Sequence, residues 1–298
     1  QRLHEAIAGE RLGLVYQPVV DLASGAVVSA EALVRWTEDG ETVMEPTELV
    51  ALAESAGRIN AVGAWVLKRA VQRAAAWSAA GYPVRVAVNL SVQQLADPDL
   101  VPVVDRALRR SGLPPDRLTL EITETVLLEQ AEVAISTLER LCGLGVRLAV
   151  DDFGTGYSSL GYLRQLPVSL LKVDRAFLQG FGQLADVTAL LRSMVGLGHD
   201  LGLTVTVEGI ETSAQLRLLR ALGVENGQGY LFSHPLDELG MLQCLERGPF
   251  VVDVPDGLTS VPRTSEQWPS EQWPSEQWPP EQWPSQQRSG SPSSTADG

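Results

Sequence analysis

Residues 117–154, RLTLEITETVLLEQAEVAISTLERLCGLGVRLAVDDFG, decide how this chain folds. A short apolar run over 117–122 is followed by helical periodicity over 131–143, and a second apolar run follows over 146–151. Strand, helix and strand in that order predict two parallel strands joined by a right-handed crossover. Each run also ends in acid: Glu121, with Glu124 three residues on, and then the adjacent Asp151 and Asp152.

The same unit recurs in both directions. Toward the C-terminus, a helix is expected near 158–164, then a strand over 168–173 that ends at Lys172 and Asp174. A helix near 186–201, a strand over 203–207 followed by Glu208 and Glu211, and a helix near 212–222 come next. "GQGYLF", which contains Gln228, and a last helix near 236–247 complete the series. Toward the N-terminus, strand 84–89 ends at Asn89 and precedes a helix near 99–111. "PTELVALAESAGR" and "AVGAWVLKRAVQRAAAWSAAG" read as helices, the first opened by Pro46 at a helix-start position. "LGLVYQPVVDLASGAVVSAEALVRW" reads as a hairpin turning at "SG", and it carries Gln17, Glu31 and Arg35. A hairpin followed by about six βα units predicts an α/β fold: a TIM-like (β/α)8 barrel with an antiparallel first strand. The alternative is a doubly wound open sheet, which would gather the same residues in a crevice.

In a barrel the C-terminal strand ends form the active face. Here they hold carboxylates, an amide and a lysine. Carboxylates cannot be buried together unpaired without a severe desolvation cost, so such a ring asks for cations at its centre. The lysine is informative by its rarity: the chain has 23 Lys and Arg together, and only Lys68 and Lys172 are lysine. An ammonium is a compact point charge whose pKa responds to burial, which a guanidinium does not match.

The C-terminal end of the 298-residue chain reads differently. From about Pro262 it repeats "SEQWP", with Trp268, Trp273, Trp278 and Trp283 in successive copies. A Pro at every fifth position excludes helix and interior strand. The expected organisation is therefore a domain over 1–250 and a low-complexity, disordered tail over 251–298. Deleting 262–298 should leave melting temperature and turnover unchanged. Net charge is −14, which excludes a basic footprint for duplex nucleic acid. Cys142 and Cys244 fall inside apparent helices at no metal or redox spacing, as expected of reduced thiols in a cytoplasmic protein. No apolar run is long enough to span a membrane, and no signal peptide is visible. The first residue is Gln, which suggests a segment of a longer chain.

In order and spacing, "EALVRW", "NLS", "EITE", "DDFGTGYSSL", "KVD", "VEGIE" and "GQGYLF" resemble the signatures of the EAL-domain cyclic di-GMP phosphodiesterases. The resemblance runs from about Arg11 to Leu236 and implies a barrel with one reversed strand. It implies hydrolysis of one phosphodiester of cyclic di-GMP to linear pGpG. Glu31, Asn89, Glu121 and Asp151 look like the shell of one divalent ion, with Asp151 bridging to a second that takes Asp152 and Glu208. All these donors are oxygens, which suit Mg²⁺ or Mn²⁺ and argue against zinc. Two such ions can activate a water and neutralise phosphate charge.

The resemblance further implies that Lys172 contacts the nucleophilic water, with Glu208 as general base. Glu124 would anchor the DDFGTG loop, whose glycines permit a tight turn and which couples dimer contact to metal geometry in relatives. Asp174 and Glu211 would stand behind Lys172 and the metal ligands, Asp174 also beside the substrate. Arg35 would meet a phosphate, and Gln17 and Gln228 the guanine or backbone of the ligand. His4, His199 and His234 have no ligand partner at useful spacing, although His234 stands where many relatives carry a basic residue. A homodimer and an upstream sensor or diguanylate-cyclase-like domain are the expected context. The rival readings are a non-catalytic cyclic di-GMP receptor, an interaction module working through the EQWP tail, and a metal hydrolase of another phosphodiester.

Overall fold

The protein is described from a computed structural model, in which residues 11–38, 41–124, 131–154, 163–178 and 185–251 are placed. The chain divides into two units, Gln1–Val261 and Pro262–Gly298, and every described residue belongs to the first. The expected tail, apart from Val251, and the expected helix near 158–164, apart from its last two positions, lie outside the described residues.

Among the described residues, nine strands form one sheet: β1 (Leu12–Asp21), β2 (Val27–Glu38), β3 (Glu41–Met44), β4 (Arg85–Leu90), β5 (Leu118–Thr123), β6 (Arg147–Phe153), β7 (Leu170–Val173), β8 (Thr204–Val207) and β9 (Asn226–Gly227). The order β1-β9-β8-β7-β6-β5-β4-β2 is closed by pairing of β1 with β2, so eight strands make a barrel. β3 pairs with β2 as an addition to the ring. β1 runs antiparallel to both its neighbours, while every other pair in the ring is parallel. This is the expected barrel with a reversed first strand, and closure excludes the open sheet. β3 is not visible in the sequence because four residues carry too little alternation to register.

The reversal follows from the hairpin. Asp21 Oδ1 accepts from the Ser24 N–H at 2.7 Å, and Gly25 takes φ 76°, so the chain folds back within a few residues. Strand β2 then runs parallel to β4, with the helices α1 (Pro46–Ser55) and α2 (Ile59–Ala79) crossing between them. Pro46 does open α1. In α2, Val62, Val66, Leu67, Ala70, Val71, Ala74 and Trp77 recur at helical spacing and are buried. Trp77 meets Tyr16 of β1 edge to face, with centroids 4.9 Å apart.

The remaining helices are α3 (Val92–Leu95), α4 (Leu100–Ser111), α5 (Ala131–Gly143), α6 (Ala185–Asp200), α7 (Ser213–Ala221) and α8 (Glu238–Arg247). Their ends are set by local chemistry. Ser91 with Gln94 and Thr212 with Gln215 form reciprocal capping boxes, and Gly112 closes α4 in a left-handed conformation. Cys142 lies in α5 and Cys244 in α8, both as free thiols. Inside the ring, parallel strands buried on both faces read as apolar runs: Val86, Val88, Leu118, Leu120, Ile122, Leu148, Val150, Leu171, Val205 and Val207 are all buried.

Register fixes what meets at the mouth. Asn89 lies opposite Glu121, Thr123 opposite Asp151, and Gln17 opposite Glu31. The β6–β7 register shifts between Val150 and Phe153, so Asp151 and Asp152 occupy a bulge. Bulges re-aim side chains, and this one presents two consecutive acids at the strand end. Asp152 has φ 53°, the one positive value at a non-glycine among the described residues. Strain of that kind collects at functional sites.

Candidate active site

A lysine ammonium surrounded by acids occupies the mouth of the barrel. Lys172 Nζ stands 2.7 Å from Glu121 Oε2, 2.7 Å from Glu208 Oε1, 3.0 Å from Asp151 Oδ2 and 3.5 Å from Glu31 Oε2. Lys172 is 2% exposed, and Glu31, Glu121 and Asp151 are buried with it. Carboxylate oxygens of Glu31, Glu121 and Asp151 lie within 4.8 Å of one another. Five strands, β2, β5, β6, β7 and the end of β8, thus converge on one point.

Amides complete the cluster. Asn89 Nδ2 donates to Glu31 Oε1 at 2.9 Å. Gln228 Nε2 donates to both Glu31 Oε2 at 2.8 Å and Glu208 Oε1 at 3.0 Å, tying together the ends of β2 and β8. The other amide atom, Gln228 Oε1, is buried without a hydrogen-bond partner. An orphaned oxygen beside converging carboxylates is what a site for a hard cation would contain. The donor set fits Mg²⁺ or Mn²⁺.

The charges explain the titration of the site. Four carboxylates face one ammonium, so the acids cannot all ionise at ordinary cost. Burial pushes Glu208 up to about 7, against the pull of Lys172 and with the charges of Glu31 and Asp151 adding to it. Burial also holds Glu121 well above the usual carboxylate range, with Glu31 and Asp151 acting in the same direction. Asp152 is raised by burial and by Asp151 and Asp174. Glu31 moves down despite burial, because Lys172, Gln228 and Asn89 favour its ionised form. Burial works against the charge of Lys172, but the four surrounding acids outweigh it and hold its pKa high.

Glu124 is buried and its Oε2 accepts from the Gly154 N–H at 2.8 Å, a bond from the end of β5 to the loop after β6. Gly154 has φ 95°, a backbone conformation that favours glycine, and it packs against the flexible ends of Met194 and Phe177. Thr155 and Gly156, also expected to shape that turn, lie outside the described residues. Asp152 N–H donates to Asp151 Oδ1 at 2.9 Å.

Asp174 accepts from the Ala176 N–H at 2.9 Å and so caps the short turn Arg175–Leu178. Glu211 is exposed, and its backbone N–H donates to Gln215 within the α7 cap. Neither makes a hydrogen bond to Lys172. Gln17 is buried, donating to the Ser233 carbonyl at 2.6 Å, and Arg35 donates to the Val34 carbonyl at 2.9 Å. Sequence reading assigned Gln228 to the ligand and did not see that it bridges two acids. It also missed that the aromatic rings of Tyr230 and His234 stack, with centroids 4.0 Å apart. Both contacts link residues whose proximity depends on the closed barrel or a folded turn, and no spacing signals them.

A TIM-like barrel with a reversed first strand, whose mouth gathers carboxylates able to hold a hard divalent ion, defines a class of acidic-centred α/β barrel. Comparison with known proteins gives the particular family. The EAL domain model matches residues 1–235, and the chain belongs to that family. Among curated relatives it is similar to the cyclic di-GMP phosphodiesterase NbdA of Pseudomonas aeruginosa, 42% identical over 79% of this chain and 30% of that protein. It is 40% identical to the bifunctional diguanylate cyclase/cyclic di-GMP phosphodiesterase MucR of the same organism, over 78% of this chain and 34% of that protein. The chain spans about a third of the length of such curated relatives.

Among solved structures, the PaMucR phosphodiesterase in complex with c-di-GMP superposes with a TM-score of 0.75 at 39% identity, covering 79% of this chain and 96% of that one. The EAL domain of Mycobacterium smegmatis DcpA gives 0.69 at 33% identity, over 82% and 99% of the two chains. No described helix is long and apolar enough to cross a membrane.

Proposed function

We propose that this domain is a cyclic di-GMP phosphodiesterase that opens one phosphodiester of the cyclic dinucleotide to give linear pGpG. The observation that carries the reading is the convergence of Glu31, Glu121 and Asp151 within 4.8 Å around Lys172, in a family whose relatives bear that activity in their names. Glu31, Asn89, Glu121, Asp151, Asp152 and Glu208 would hold two ions, Mg²⁺ or Mn²⁺. When bound, such ions polarise an attacking water and neutralise charge on the phosphate.

The chain's own residues do the rest. Glu208, held by Lys172 and by Gln228, is the carboxylate placed to accept a proton from the attacking water. Lys172, 2.7 Å from Glu208, fixes that carboxylate and places positive charge beside the reacting oxygen. Gln228 holds Glu208 and Glu31 in one arrangement. Asn89 donates its amide N–H to Glu31, which leaves its carbonyl oxygen free to serve as a ligand. Arg35, four residues along β2 from Glu31, is half-buried and stands ready for a phosphate oxygen. Attack forms the new P–O bond and breaks P–O3′, leaving the 5′-phosphate of pGpG and a 3′-hydroxyl.

We further propose that the domain acts as a homodimer in a cytoplasmic signalling protein, downstream of a sensor or diguanylate-cyclase-like domain; the greater length of the relatives and the bifunctional name of MucR support the presence of a further domain. The test is incubation of the purified domain with cyclic di-GMP and Mn²⁺, followed by chromatography. pGpG should accumulate with Mn²⁺ or Mg²⁺ and not in EDTA. Binding of the dinucleotide without turnover would replace this reading with that of a receptor.

A further inference from the structure

Most of the polar groups at the mouth are committed to one another, and one large apolar surface beside them is not. Tyr230 is 57% exposed, although it lies two residues beyond Gln228, the amide that bonds Glu31 and Glu208. Its ring stacks on His234 at 4.0 Å between centroids and 30° between planes. The turn that carries the pair is rigid. Leu231 N–H donates to Ile210 at 2.9 Å, Phe232 and Ser233 both donate to Gly229, and Gln17 of β1 clamps the Ser233 carbonyl. Gly229 itself packs where a Cβ would meet the Ile210 backbone at 2.2 Å. Arg35 is near enough to Glu45, Glu31 and Tyr230 to feel the charge of each.

We propose that the Tyr230 ring is a stacking platform for one purine base of the substrate, and that His234 is the residue that holds it flat. The inference rests on the phosphodiesterase reading and adds to it the element that grips a base. A ring held on one face by an imidazole, on a turn fixed at four backbone points, loses little entropy when a base covers its other face. A base there would leave the adjoining phosphate toward Arg35 and the scissile bond toward the carboxylates. Base stacking on an aromatic side chain carries enough energy that its removal weakens binding roughly 5- to 150-fold. His234 acts through Tyr230 as a positioning residue. That role accounts for an exposed histidine with no metal or ion-pair partner among the described residues.

The experiment measures cyclic di-GMP binding by titration calorimetry in EDTA, together with KM and kcat in Mn²⁺. The variants are Tyr230→Ala, Tyr230→Phe, His234→Ala and the double alanine. Tyr230→Ala should weaken binding and raise KM at least about tenfold, with kcat within about twofold. Tyr230→Phe should behave as wild type, since the face and not the hydroxyl is used. His234→Ala should raise KM severalfold, and the double variant should be no worse than Tyr230→Ala alone. Mn²⁺ affinity and melting temperature should stay unchanged throughout. Wild type that binds without turnover would overturn the catalytic reading and leave this one to be judged on Kd. Unchanged Kd in Tyr230→Ala, or full additivity of the two alanines, would overturn the platform.

Discussion

At the scale of single residues, the centre is defined by an imbalance, four acids around one ammonium. This makes two substitutions differ in kind. Glu31→Ala removes a carboxylate from an over-negative cluster and leaves Lys172 with three partners, so the metal-free fold should survive. Turnover should nonetheless disappear and Mn²⁺ affinity should fall, read by pGpG chromatography and calorimetry; normal rates would refute the metal assignment. Lys172→Met strips the acids of their buried cation, a change that costs about 3–5 kcal/mol where a buried pair is broken. Its melting temperature in EDTA should drop sharply and recover when Mn²⁺ is added, because a divalent ion can take up the same oxygens. Loss of stability that Mn²⁺ does not restore would mean Lys172 is structural cement and not a stand-in for bound cation. Gly154→Ala belongs with these. Its φ of 95° strains an alanine there, which should cost stability and pull the loop away from Glu124, lowering turnover even with every ligand in place.

Elements differ in how plainly the sequence announces them. Short apolar runs ending in acid are readable because both faces of a parallel barrel strand are buried and its C-terminal end is not, so polarity switches on at the mouth. Strands β4, β5 and β6 and the start of α1 at Pro46 therefore fall where the sequence places them. β3 and β9 do not, since four and two residues offer no period; "GQGYLF", which the sequence leaves without an assigned element, begins at Gly227 of β9 and continues as a turn. Of the site, the carboxylates and Lys172 are legible from their strand-end positions. The pairings are not: Gln228 meets Glu31 across 197 residues of chain, which only barrel closure decides. Local signals also fix the helix that follows the end of β8. Thr212 and Gln215 cap α7 reciprocally, four residues after Glu208. Thr212→Ala should cost about 1 kcal/mol in urea unfolding, with KM nearly unchanged, since the cap holds the helix and not the ligand. A much larger loss in turnover than in stability would instead place the cap in control of Glu208.

For the molecule as a whole, the site sets how stability depends on pH. Glu208 has a folded pKa of about 7, above its ordinary 4.5, so its protonated form is favoured in the folded protein. A raised pKa stabilises below the unfolded value, and that contribution is lost as pH climbs toward the folded one. Glu121 and Asp152 are also raised and act in the same direction. Glu31 is lowered, so its contribution is lost only below the ordinary carboxylate range, and the high pKa of Lys172 matters only in strong alkali. Between about pH 5 and pH 8 the raised acids decide the outcome. The metal-free protein should lose about 3 kcal/mol from Glu208 alone. For a domain of this size that corresponds to a fall in melting temperature on the order of 6–12 °C. Scans in EDTA at a series of pH values should show the fall, and saturating Mn²⁺ should flatten it, because bound cation keeps the same carboxylates ionised across that range. A profile in EDTA that is flat, or that rises with pH, would mean the acids at the mouth are not confined around one ammonium. The convergence on which a metal-dependent phosphodiesterase reading rests would then be lost with it.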